Sequence, residues 1–310
     1  MSKIMMMNIG LIGLLTIASI FSYFLNKLTP NDHIKKNTRI NLVERVNSWW
    51  LMILVLITVF YMGFHTTVIF FGILSFLSLR EFITLNETYS EDHYTLTLVF
   101  FIILPIQYGL LYTNWYGLFT IFIPVYCFLL LPFFSIIMEN TKDFLVRIAK
   151  IQFGIMITIY CISYIPALLT LKIAHFTNNY LLLYYLIIVV QMSDVLQYVF
   201  GKLLGKHKIA PIVSPSKTWE GFIGGTISSG LIGGFLYQLT PFSFMQSFMF
   251  SSIIVLLGFL GGLVLSAIKR SLGAKDWGEM IQGHGGILDR LDSLVFAAPI
   301  FFHLVRYYYT

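Results

Sequence analysis

Between residues 266 and 292 the sequence gathers acids, bases and glycines into one short stretch. Ser266, Lys269 and Arg270 come first, then Lys275, Asp276 and Gly278, then Gly283, His284, Gly285 and Gly286, and finally Asp289, Arg290 and Asp292. Glycine lets backbone amides approach a phosphate closely. Asp289 and Asp292 fall one helical turn apart on the same face, a spacing suited to sharing a hard divalent cation such as Mg2+. Carboxylates, cations and glycines, with no serine or cysteine nucleophile beside a base, suit metal-assisted phosphoryl or nucleotidyl transfer.

Two further groups of residues belong with this stretch. Gln191, Asp194 and Tyr198 share one helical face inside an otherwise apolar run. Glutamines at membrane depth can serve as helix–helix glue, but a carboxylate there calls for a cation or a metal, so Asp194 is read as a ligand. The segment Ser214, Pro215, Ser216, Lys217, Thr218 follows a loop rich in lysine. Ser214 before Pro215 reads as a helix start. That start would offer amides, the hydroxyls of Ser214, Ser216 and Thr218, and the Lys217 ammonium to an anion. The spacing of a Walker loop is absent.

The elements that must carry these residues are membrane spans. Of 310 residues, 57% are hydrophobic and only 11% charged, about half the charged share of a soluble domain. The mean hydropathy is +0.81. So much apolar surface cannot be hidden in one aqueous core. Ten candidate spans of about 20 residues fall at 5–25, 48–62, 66–85, 95–112, 117–138, 148–171, 180–200, 220–239, 244–268 and 292–308. Nine is the alternative if the second and third merge. The first is read as a retained span, since no small-residue cleavage site follows it. The runs are continuous and not alternating, which excludes a β-barrel. The expectation is an all-α polytopic membrane protein. Residues 1–175 form an N-terminal set of helices, and residues 176–310 a catalytic region with loops 201–219 and 269–292.

With ten spans, all but Lys3, Lys172 and Arg306 of the 20 Lys and Arg fall on one face. The positive-inside rule makes that face cytoplasmic. The net charge of +6 is then that of cytoplasmic loops. Without basic runs interleaved with aromatics, nucleic-acid binding is excluded. Cys127 and Cys161 lie in apolar runs without metal-ligand spacing and read as small buried hydrophobes. Arg80-Glu81, closing the third span, reads as charge reaching the interface rather than as a site. Three glycine pairs four apart, Gly221/Gly225, Gly230/Gly234 and Gly258/Gly262, are expected to pack the eighth and ninth spans together.

The stretch Ser266–Asp292 resembles the signature of phosphatidate cytidylyltransferases, S-x-hydrophobic-K-R-x4-K-D-x-G-x2-I-[PGS]-x-H-G-G-x2-D-R-x-D. It departs from that pattern at Gln282. Ser214–Gly221 resembles the family's SPKKTWEG-like segment. Asp194–Gly201 is similar to its D-x-x-A-Y-x-x-G element, with Val195, Leu196 and Gln197 in place of small residues. These departures mark a divergent paralogue, and the likeness covers residues 180–300. The resemblance implies a mostly helical, dimeric, Mg2+-dependent enzyme making CDP-diacylglycerol and pyrophosphate from CTP and phosphatidate. It implies that Asp276, Asp289 and Asp194 hold metal. Lys217, Lys269, Arg270, Lys275 and Arg290 would neutralise phosphates, and Gly285 and Gly286 would let the loop close. His284 either donates to a phosphate oxygen or shapes the loop. The setting implied is a bacterial inner membrane, with the site facing the cytoplasm. A CTP-dependent lipid-alcohol kinase and a proton-coupled transporter are the rival readings.

Overall fold

Backbone amides and carbonyls inside lipid have no water to bond, so continuous apolar runs close their hydrogen bonds within helices. The computed structural model describes residues 3–28, 33–137, 141–281, 283 and 285–310. Among these the chain forms ten helical rods: α1 Lys3–Leu28, α2 His33–Met62, α3 Phe64–Leu85, α4 Asp92–Tyr112, α5 Tyr116–Ile136, α6 Phe144–Thr170, α7 Tyr180–Leu204, α8 Trp219–Phe235, α9 Phe244–Ser271 and α10 Leu288–Tyr309. They stand where the sequence placed spans, and the protein is an all-α polytopic membrane protein. Seven of them (α1, α3 to α7 and α9) are long and apolar enough to cross a bilayer. Of the rest, α2 has a shorter apolar part, Val46–Met62, α8 is 17 residues and rich in glycine, and α10 carries charge in its first turns. Gly63, at φ 95°, breaks α2 from α3, a backbone conformation that glycine adopts without strain.

The rods of the first half are not regular throughout. In α4 a wide π turn at Val99–Ile103 precedes Pro105, and in α5 a second, Phe122–Cys127, contains Pro124. Proline lacks the donor of the regular ladder, and local widening absorbs its ring. At one end of the molecule Arg147 of α6 grips Asp92 of α4 through Nη2–Oδ1 at 2.7 Å and Nε–Oδ1 at 2.9 Å. Both side chains are 4% exposed. An ion pair this buried needs such multiple hydrogen bonds to offset desolvation.

Besides two isolated bridges, Ile173 with Phe176 and Ile281 with Gly285, the described residues form one antiparallel hairpin, β1 Lys208–Ala210 and β2 Ser214–Thr218, joining α7 to α8. It corrects the expected helix start at Ser214-Pro215. The backbone there is extended, because Ser214 pairs with Ala210 and Thr218 with Lys208. Glu220 closes the base of the hairpin, accepting from the Lys206 and His207 amides at 3.1 and 3.2 Å and pairing with His207 Nδ1 at 2.6 Å. The helix starts at Trp219 with Thr218 as its cap, the Thr218 hydroxyl accepting from the Gly221 amide at 3.1 Å.

Contacts bring the chemistry-bearing loops to one end. Glu81, near the C-terminal end of α3, meets the start of α10. Arg270, near the end of α9, donates to the Val213 carbonyl in the hairpin turn at 3.4 Å. The opposite end is closed by aromatic contacts, with Tyr164 and Tyr116 around His303 and the Arg306 guanidinium 3.5 Å over the Tyr116 ring.

Candidate active site

Close helix packing sets one cluster. The backbone at Gly258 and Gly262 of α9 lies against Ser293 and Asp292 of α10. A Cβ at Gly258 would stand 3.3 Å from the Ser293 Cβ. One at Gly262 would stand 2.9 Å from Lys217 Nζ and 4.0 Å from Asp292 Oδ2. Only a residue without a side chain lets α10 and the hairpin lysine approach this closely. This pair therefore packs α9 on α10 and not on α8, contrary to the sequence expectation. Gly221 and Gly225 pack α8 on Gln197 and Gly201 of α7, and of the three pairs Gly230/Gly234 is the one that faces α9 from α8.

The seam delivers three elements to one point. Ser293 Oγ lies 3.2 and 3.3 Å from the two Asp194 oxygens and 3.4 Å from Asp292 Oδ1. Lys217, from β2, reaches over the Phe259 ring at 4.6 Å. Its ammonium interacts with Asp292 and Asp194, and Arg290 with the same two carboxylates. Burial pushes the Lys217 ammonium below the usual lysine range, while Asp292 and Asp194 pull it back. Asp194 keeps an accessible face although it lies ten positions inside α7.

A second cluster orders the loop before α10. Asp289, 6% exposed, takes the Lys269 ammonium on Oδ1 at 2.5 Å, and the Trp277 and Gly286 amides on Oδ2 at 2.7 and 2.9 Å. Gly285 turns at φ 78°. A Cβ there would lie 2.8 Å from Asp289 Oδ2 and 3.3 Å from the Asp276 Cβ, so Asp276 and Asp289 border the same glycine. Glu81 accepts from the Ile287 and Leu288 amides, each at 2.9 Å. Trp277, 2% exposed, packs on the Phe82 ring with centroids 5.4 Å apart.

Sequence reasoning passed over Glu81 and Ser293. Arg80-Glu81 read as interfacial charge, yet Glu81 is 8% exposed and turned inward. The available signal was an acid at the end of a span that shares its face with the chemistry-bearing loops. Serine after Asp292 gave no signal.

The remaining site residues lie around these clusters. Arg270 is outward-facing and bonded to the Val213 and Ala274 carbonyls, and Lys275, Asp276 and Ser216 are exposed. Ser214 is half-buried in the hairpin, and Thr218 is buried as the cap of α8. His284 and Gln282 lie outside the described residues. Thr218→Val should weaken the hairpin–helix junction by about 1 kcal/mol, the usual worth of a side-chain cap, read as a lower unfolding midpoint in detergent.

The donor chemistry can be tested against Mg2+. No group of three or more His, Cys, Asp or Glu converges on one point among the described residues. Mg2+ uses one or two carboxylates and fills its octahedron with water and substrate phosphate. Asp194 and Asp292, hard oxygen donors bridged by one hydroxyl, fit that demand. Asp289 already accepts three hydrogen bonds. A cavity of about 330 Å³, bordered by Asn114, Lys172 and Arg306, lies at the opposite end, away from both clusters.

Comparison with known sequences identifies the family. The profile described as the cytidylyltransferase family matches residues 43–308. The uncharacterized protein YnbB of Escherichia coli K12 is 36% identical over 300 residues, covering 96% of each chain. The phosphatidate cytidylyltransferase of Staphylococcus haemolyticus is 43% identical over 118 residues, which are 37% of this chain and 45% of that protein. That of Staphylococcus aureus COL is 42% identical over the same length.

Proposed function

The chain belongs to the cytidylyltransferase family, a membrane-bound nucleotidyltransferase, and from that premise we propose that it joins CTP to phosphatidate, giving CDP-diacylglycerol and pyrophosphate. The observation that carries the proposal is the meeting of Asp194, Asp292 and Ser293 with Lys217 and Arg290, from two spans and a hairpin, at the loop-bearing end. Two polyanions must be brought together there. Lys217 and Arg290 neutralise phosphate charge, and rigid helices hold the reactants in line.

A phosphatidate oxygen attacks the α-phosphorus of CTP. The new P–O bond forms as the bond to the bridging oxygen of the β-phosphate breaks, and that oxygen leaves with pyrophosphate. No enzyme nucleophile is required. Asp194 and Asp292 would hold Mg2+, which would supply charge neutralisation at the transferring phosphoryl group. Lys269, held on Asp289, keeps the loop's cationic edge in place, and Lys275 and Arg270 stand outside it for incoming phosphates. The bacterial relatives and the charge asymmetry of the loops support a bacterial inner membrane with this end in the cytoplasm, where CTP is found.

The test uses purified full-length protein in lipid nanodiscs with Mg2+, phosphatidate and CTP labelled at the α-phosphate. Label is expected to move into the lipid phase as a liponucleotide, with one pyrophosphate released per label. Release of CDP with transfer of the γ-phosphate to a lipid alcohol would replace this reading with the kinase.

A further inference from the structure

We propose that Glu81, in the half of the chain that the signature does not reach, is a positioning residue for cytidylyl transfer. The inference rests on the reaction proposed above. Glu81 is 8% exposed near the end of a membrane-spanning helix, where a carboxylate without partners is costly. Its partners are backbone amides: Oε1 accepts from Ile287 and Oε2 from Leu288. Those amides belong to the first turn of α10, whose own preceding residue, Ile287, provides no side-chain cap. The free N–H groups and positive dipole end of α10 are thus met by an acid more than two hundred residues away in the chain.

The contact fixes more than one helix end. Gly286 and Gly278 are packed so tightly on Glu81 that a Cβ would lie 2.5 Å and 3.0 Å from its carboxylate oxygens. The next residue, Phe82, holds the Trp277 ring, and the Trp277 amide donates to Asp289. Glu81 and Phe82 together grip both arms of the loop between Trp277 and Leu288. Asp289, Arg290, Asp292 and Ser293 all lie within the next two turns of α10, so the rotation of that first turn sets where they point. Glu81 contacts none of the groups proposed to touch substrate directly. It acts through the loop it holds.

The experiment compares wild type, Glu81→Gln and Glu81→Ala as full-length proteins in nanodiscs. Turnover should fall about 10–100-fold in Glu81→Ala, the usual loss when a ligand-orienting partner is removed. Glu81→Gln keeps one accepting oxygen and should retain an intermediate rate. KM for CTP should change little. Amide hydrogen exchange over Gly285–Leu288 should accelerate in Glu81→Ala while exchange over Leu294–Phe302 stays unchanged. A bystander packing role would lower turnover only in step with the melting temperature, so loss of turnover in Glu81→Gln at an unchanged melting temperature supports positioning. Wild-type turnover in both variants, or unaltered exchange at Ile287 and Leu288, overturns the inference. A wild-type protein that makes no liponucleotide sinks the proposed reaction instead, and the exchange data still decide whether Glu81 holds the loop.

Discussion

Asp292→Asn is expected to lower turnover by about 10²–10³-fold, the scale seen when one preorganised charge-stabilising group is lost, while the protein still inserts and melts at or above the wild-type temperature. Asp292 makes no structural ion pair at hydrogen-bond distance among the described residues. Its Oδ1 accepts only from the neighbouring Ser293, through the amide at 2.7 Å and the hydroxyl at 3.4 Å. Nothing in the packing of α10 depends on its charge. What the charge does is stand beside Asp194 and opposite Lys269, Lys217 and Arg290. The liponucleotide assay across a Mg2+ titration checks this. If Asp292 helps hold the ion, residual activity should need more Mg2+. Turnover close to wild type at ordinary Mg2+ would remove Asp292 from the machinery.

Asp289→Asn should behave differently, losing stability as well as turnover. Lys269 is 7% exposed and spends its ammonium on Asp289. Removing one partner of such a pair leaves a buried charge uncompensated, at about 3–5 kcal/mol. The amide also presents a donor where the Trp277 and Gly286 amides now donate. A marked fall in melting temperature is therefore expected, together with loss of activity. The double variant Lys269→Met/Asp289→Asn should recover much of the stability and none of the turnover. If Asp289→Asn melts like wild type, the carboxylate is not the anchor of the loop described here.

Much of the architecture was legible in the residues themselves. Apolar runs set the helices: among the described residues ten rods form where ten spans were expected, seven of them long and apolar enough to cross a bilayer, because a chain in lipid has few other ways to satisfy its backbone. The site was legible as a set of residue types and less so as a division of labour. Asp289 and Asp292 share a helical face by spacing. Yet one turn of α10 separates a loop anchored by Lys269 from an acid that faces α7. Spacing along one helix says nothing about which neighbour comes alongside. The extended Ser214–Thr218 was hidden for a related reason. Ser-Pro is a good local helix start, but cross-strand pairing with Lys208–Ala210 and the cap made by Thr218 outweighed it. Glu81 was missed because its partners are backbone amides, which carry no side-chain signature.

The position of Asp194 has a consequence for how a two-tailed substrate gets in. Asp194 lies on an exposed part of the helix surface, its carboxylate held by Ser293, and ten residues, about 15 Å of helix, separate it from the last residue of α7. A carboxylate at that depth calls for water or a lipid headgroup beside it, and a furrow open sideways among the acyl chains would admit either. The phospholipid would then slide in laterally with its tails still solvated by their neighbours, and only the nucleotide would have to arrive from the aqueous phase.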